Sequence, residues 1–178
     1  MNVEERYHHG DLPNALRAAA VEVIAEKGVG AFSLREVARR AGVSHAAPAH
    51  HFGDTRGLLT SVAIEGFDTL LGAMTEAQIG LTDPEDRLVA VGRAYVSVGL
   101  EHPAHCSVMF RKDLVDADSD AYQQVAVSAF MVLEDAISEL KEQRKADFDV
   151  SDAANLCWAT MQGLIEIREG IAKMAWLR

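Results

Sequence analysis

Proline is scarce, with only 4 among the 178 residues, so little in the chain interrupts a helix. Ala, Leu, Glu and Val are abundant instead, and such residues lose little freedom in a helix. Only two cysteines occur, Cys106 and Cys157, too far apart in sequence to suggest a disulfide framework. No unbroken apolar run reaches the ~20 residues a membrane span requires. The stretch Leu88 to Leu100, the best candidate, is interrupted by Arg93. The first residues, Met1 to Glu5, offer neither a basic start nor an apolar stretch, so no signal peptide is expected. These absences predict a cytoplasmic protein with reduced thiols and no membrane partner. Repeats, low-complexity tracts and long linkers are also missing. So are a Gly-rich phosphate loop, a nucleophile elbow and a metal-hydrolase helix. Neighbouring carboxylates such as Glu134 and Asp135 face different ways on a helix and read as solvated surface. No catalytic residue, cofactor or resident metal is predicted.

Hydrophobic residues make up 49% of the chain, enough for a core without staples. The net charge of −10 argues at first against nucleic acid, but it is unevenly placed. The first 60 residues hold seven basic and seven acidic side chains and five of the seven histidines. The whole negative excess lies beyond them. A neutral head on an acidic body is compatible with one end facing a polyanion.

Periodicity divides the chain into eight helical segments. Leu12, Leu16, Ala19, Ala20 and Val23 form one stripe in a first helix over about 11–27, with Asp11 as cap and Gly28 and Gly30 as stop. Ser33 and Glu36 form a capping box for a short second helix, and Gly42 supplies a left-handed turn. Ser44 is expected to cap a third short helix ending near His51. A long fourth helix begins at Asp54 or Thr55. A fifth starts at Pro84 and stops before Pro103, and a sixth covers roughly 104–112. Two long ones follow, over about 119–144 and 152–176.

The stretch from Ser33 to Ala47 is therefore a capped helix, a Gly turn and a second helix, each about two turns long. Helices that short cannot stand alone. Packed on the first helix they form a three-helix unit whose last helix can enter a major groove. The segment from Asn14 to Leu71 resembles the DNA-binding domain of the tetracycline-repressor (TetR) family. The matching residues are Ala25-Glu26-Lys27-Gly28, Ser33, Val37-Ala38, Ala41-Gly42-Val43-Ser44, His51-Phe52 and Leu58-Leu59. The later helices resemble the family only in layout. Trp158-Ala159-Thr160-Met161-Gln162-Gly163-Leu164 looks like the Trp…His-Gly segment of one branch, with Gln162 in place of the His.

The resemblance implies an all-α fold. Residues 1–56 would form the helix-turn-helix domain, with the motif itself over about 33–52. Residues 57–178 would form a ligand-binding and dimerisation domain. By position, Ser33, Arg35 and Arg56 would meet phosphate, and Ser44 could also donate to it. His45, Ala46 and Ala47 would face base edges, with His50 and His51 near the DNA backbone. Two departures matter: Ala49 stands where the family commonly has a phosphate-binding Tyr, and Pro48 lies inside the third helix. No Arg or Lys occurs between Ser44 and His51.

An effector pocket would draw on Phe67, Met74, Met109, Phe110, Phe130, Met131, Trp158 and Met161, although each of these residue types also fills ordinary cores. Leu133, Leu140, Leu164 and Ile171 are candidates for the dimer interface. His102, His105 and Cys106 are metal-binding residue types, but Pro103 breaks the spacing and no fourth ligand is near. The leading reading is a homodimeric repressor released from a palindromic double-stranded operator by a small apolar effector. The alternatives are a dimeric ligand-binding or scaffold protein with a vestigial head, and a small helical enzyme using the histidines.

Overall fold

The computed structural model describes residues 12–173, with side chains described through Arg168. Among the described residues there are eight α-helices and no strand. They are α1 (Leu12–Lys27), α2 (Leu34–Arg40), α3 (Ala47–Phe52), α4 (Thr55–Glu76), α5 (Pro84–Glu101), α6 (Pro103–Met109), α7 (Asp120–Arg144) and α8 (Val150–Lys173). The all-α class is as the sequence predicts. The expected Asp11 cap falls outside the described residues.

Local chemistry sets the helix ends. Ser33 Oγ accepts from Glu36 N at 3.3 Å and starts α2. Only that half of the expected capping box forms. The Glu36 carboxylate turns instead to Lys27 Nζ at 2.9 Å and to Arg39 Nε and Nη2 at 2.9 and 2.8 Å. A charged partner holds a carboxylate more strongly than a backbone amide does. At the other end Gly42 takes φ +68°. Val43 N then donates to Ala38 O at 3.0 Å and Gly42 N to Arg39 O at 3.3 Å. This paired closure needs a residue in the left-handed region, which glycine adopts without penalty.

The third helix departs from expectation. Ser44 does not cap it; α3 begins at Ala47, and Ala46 at its start contributes no side-chain cap. The cause is Pro48. A helix beginning after Ser44 would need residue 48 to donate to the Ser44 carbonyl, and proline has no N–H. That carbonyl accepts from Ala47 N in a tight turn at 3.0 Å, and a regular bond follows only at His50 N to Ala46 O, 2.9 Å.

Asp54 caps α4 through Gly57 N at 2.8 Å, and Asp83 caps α5 through Asp86 N at 3.3 Å. The continuous helix α4 connects the small helices to the rest. It packs on α1, α3, α5, α6 and α7. Its Leu59, Val62, Ala63, Phe67, Leu70 and Met74 are all buried. Length and composition alone would let α4 cross a membrane, but half of its apolar window is buried inside the protein. The remaining long helices form a layered body: α5 packs on α7, and α8 lies across both. One core runs from Leu16 in α1 to Ile165 in α8. The loop between α6 and α7 is anchored by buried Val115 and by Asp116 N, which donates to Thr60 Oγ1 at 2.8 Å.

Candidate nucleic-acid interface and effector cleft

The first four helices sort their basic residues into two groups. Arg39 grips Glu36. Arg40, mostly buried, pairs with Glu22 and Glu26 of α1. The Arg40 pairs and the Lys27–Glu36 pair tie α2 to α1, and Arg39 and Lys27 hold the Glu36 carboxyl far below the usual range. Arg35 is different: it is exposed, and among the described residues no ion pair engages it. Ser33, Ser44, His45, Ala46, His50 and His51 are exposed as well, while Ala47 is half-buried and Pro48 is buried beneath them. The His50 and His51 rings meet edge to face with centroids 5.4 Å apart. Arg56 is exposed at the start of α4, and its Nη2 donates to the Lys112 carbonyl at 3.3 Å. Ser33, Arg35, the α3 histidines and Arg56 thus all reach solvent, and Arg56 also touches the loop after α6.

A polar chain links α1 to the body. Arg17 Nε donates to Glu65 Oε2 of α4 at 3.0 Å, and Glu65 Oε1 lies 3.5 Å from His105 Nε2 of α6. His105 is 8% exposed, and among the described residues neither ring nitrogen has a well-formed hydrogen bond. Burial lowers its pKa; Glu65 opposes the shift and His102 adds slightly to it. Gly66 makes this crossing possible. A Cβ there would come within 2.6 Å of Met109 Sδ and 3.0 Å of His105 Cβ, so α4 and α6 meet closely only without one. Among the described residues no three His, Cys, Asp or Glu side chains converge as metal ligands, His102, His105 and Cys106 included.

The body holds an aromatic cluster. Phe67 meets Phe110 and Tyr122 edge to face at 5.4 and 5.5 Å. Trp158 lies 5.0 Å from Tyr95, 5.9 Å from Phe110 and 5.4 Å from Phe130. An open groove of about 600 Å³ runs beside it, lined by Phe110, Phe130, Asn155, Trp158, Gln162 and Glu166 with Ala159 and Gly163. Behind Phe110 and Gln162 lies an enclosed space of only about 10 Å³, bounded by Leu70, Tyr95, Cys106, Met109 and Ile165 among others. Tyr95 Oη donates to Gln162 Oε1 at 2.9 Å, and Gln162 Nε2 donates to Glu166 Oε1 at 3.2 Å. Burial pushes the Tyr95 phenol well up, so it is a neutral donor.

The structure splits the expected pocket residues. Phe110, Phe130 and Trp158 line the groove, and Met109 lines the enclosed space. Phe67 joins the ring cluster from the core. Met74 is buried but lines neither space, and Met161 packs toward Gly92 of α5. Met131 lies outside both and is 51% exposed, because it sits on the face of α7 turned away from Leu133. Leu133 also departs from expectation: it is 1% exposed within the protomer and packs in its core, not on an outer face. Leu140 is half-buried, Leu164 is exposed beside α5, and the Ile171 side chain lies outside the described residues. Sequence reasoning missed Tyr95, Asn155 and Glu166 as lining residues. Only the Gln162 substitution in the Trp158 segment pointed toward them.

A capped helix-turn-helix on a helical body with a lateral cleft defines the class of a DNA-binding regulator. Residues 16–62 match the family model for bacterial regulatory proteins of the tetR family, and residues 88–170 match a tetracyclin repressor-like C-terminal domain. No curated protein matches the chain. Among solved structures, a Rhodococcus sp. RHA1 protein of unknown function is 31% identical with a TM-score of 0.81, covering 94% of this chain and 87% of that one. A tetR-family regulatory protein from Rhodococcus RHA1 is 26% identical with a TM-score of 0.74, covering 87% and 83%. FadR from Bacillus subtilis, solved with stearoyl-CoA, shares the fold at 18% identity and a TM-score of 0.76, covering 90% and 89%. The chain belongs to the TetR family of transcriptional regulators.

Proposed function

We propose that this protein is a homodimeric repressor that leaves its palindromic operator when a small molecule enters the cleft beside Trp158. In this reading residues 1–56 are the reading head and residues 57–178 the sensing and dimerising body. The observation that carries it is the exposed set on α2 and α3, with Arg35 available while Arg40 fastens α2 to α1. Ser33, Arg35, Ser44 and Arg56 contact phosphate, His45, Ala46 and Ala47 face base edges, and His50 and His51 lie along the backbone. With no Lys or Arg on α3, phosphate contacts and DNA shape contribute much of the affinity. Such a protein acts in the cytoplasm, where the operator is, and performs no chemistry on its ligands.

The coupling runs through α4. Its start carries Arg56, and its middle meets α6 at Gly66 and α1 through the Glu65–Arg17 pair. A ligand that displaces Phe110 moves the end of α6 and hence the tilt of α4. It switches the protein only by binding the DNA-incompetent arrangement more tightly.

The test is binding to DNA upstream of the protein's own gene, followed by fluorescence anisotropy across salt concentrations. The logarithm of affinity falls linearly with the logarithm of salt. Arg35→Ala weakens all sequences alike and lowers the salt slope by about 1 for each phosphate the arginine neutralises. Unchanged binding in that variant would refute the phosphate assignment. Absent or salt-insensitive binding of the intact protein would favour a ligand-binding scaffold with an inactive head, the reading that the bare α3 favours.

A further inference from the structure

We propose that the groove beside Trp158 takes an organic cation, an ammonium carried on an aromatic or short alkyl body, and rejects carboxylates and acyl thioesters of anionic carriers. The inference rests on reading that groove as the effector site and names what it selects. Three aromatic side chains, Phe110, Phe130 and Trp158, supply its apolar walls, with amides from Asn155 and Gln162. Among the described residues the one charged side chain on its lining is Glu166. A carboxylate beside aromatic faces suits a weakly hydrated cation, because ring quadrupoles and a negative charge attract it together. Neighbouring basic residues do not reverse this. Arg111, next to Phe110, is held bidentately by Asp113 at 2.8 and 2.7 Å. Arg168 lines a different groove, on the α5 side of α8, with Arg93 and Leu164. The body's negative excess adds a field of the same sign.

The arrangement also explains why the site is primed and not blocked. Gln162 Nε2 donates to Glu166 while its carbonyl accepts from Tyr95. The amide therefore holds the carboxylate in place, and an entering ammonium meets a fixed negative charge.

The test uses the full-length protein with Trp176→Phe, which leaves Trp158 as the sole tryptophan of the two in the chain. Its fluorescence is titrated with three matched probes: (3-phenylpropyl)trimethylammonium, 3-phenylpropan-1-ol and 3-phenylpropanoate. The expected order is cation tightest and anion weakest, with the cation ahead of the alcohol by about tenfold at low salt. Glu166→Gln brings the cation-to-alcohol ratio close to one, and Glu166→Lys reverses the order of cation and anion. If the anion binds best, or the ratio survives Glu166→Gln, the cation assignment is wrong while the cleft remains a binding site. If none of the three alters Trp158 emission or raises the melting temperature at millimolar concentration, the effector-site reading itself fails, and the cation assignment with it.

Discussion

Arg35 and Arg40 both belong to α2, yet one is exposed and the other is folded against Glu22 and Glu26. The difference separates a side chain available to phosphate from one that fastens two helices. Ser33 has both parts: its oxygen accepts from Glu36 N at the start of α2, and its hydroxyl hydrogen is left to donate to phosphate. Ser33→Ala removes the cap on α2 and costs about 1 kcal/mol, a fall of about 2–4 °C in melting temperature for a protein of this size. A melt that does not move would mean the 3.3 Å contact contributes nothing. His105 predicts a pH effect whose sign follows from its burial. Its folded pKa is lowered, chiefly by desolvation, with Glu65 opposing and Arg17 competing for the same carboxylate. The unfolded chain therefore binds the proton first. The contribution of neutral His105 is complete above about pH 6.5 and is lost as the pH falls through and below that value. Denaturant titrations at pH 7.5 and 5.5 should show the parent losing more stability than His105→Gln. Parallel losses would show that His105 is not the source of the pH effect.

At the scale of elements, the helix crossings depend on glycines as much as on apolar stripes. At Gly99 a Cβ would fall 2.2 Å from Ile165 Cδ1, so α5 and α8 touch almost backbone to side chain. Gly99→Ala is expected to cost about 1–3 kcal/mol by overpacking. In an Ile165→Ala background the same change should cost far less, because the space then exists. Additive losses in that double-mutant cycle would show that the crossing is not tight. The helix limits were largely legible because caps act over three or four residues, as Asp54, Asp83 and Pro84 do. The start of α3 was not, since Pro48 acts by a hydrogen bond it fails to make. Nor was the fate of Glu36, whose partner Lys27 lies on another helix. The cleft was half legible. Periodicity marks Phe130, Met131 and Leu133 as apolar positions of α7, but not which side the same chain covers. The Tyr95–Gln162 bond joins residues 67 apart, and no local pattern encodes that distance.

At the scale of the whole molecule the unanswered surface is the outer side of α7 and α8. Leu156 and Ile167 are 70% and 62% exposed, and with Thr160 and Gly163 they recur at i, i+4, i+7 and i+11. That spacing is a seam a second helix can fill. On α7, exposed Val127 and Met131 continue the apolar surface, so a two-fold partner would complete a four-helix bundle. Such a dimer presents two α3 helices to half-sites about one DNA turn apart, roughly 34–36 Å. Ile167→Glu places a charge at the end of this apolar row without touching the protomer core. Sedimentation velocity should then find a folded monomer where the parent is a dimer. Affinity for DNA carrying both half-sites should fall by about 10²–10⁴-fold, because the second contact is no longer intramolecular. Binding to an isolated half-site should survive, since that head is intact. A variant that remains dimeric would move the interface off this seam. One that becomes monomeric yet binds both half-sites as tightly as before would mean that pairing of the heads does not underlie operator recognition.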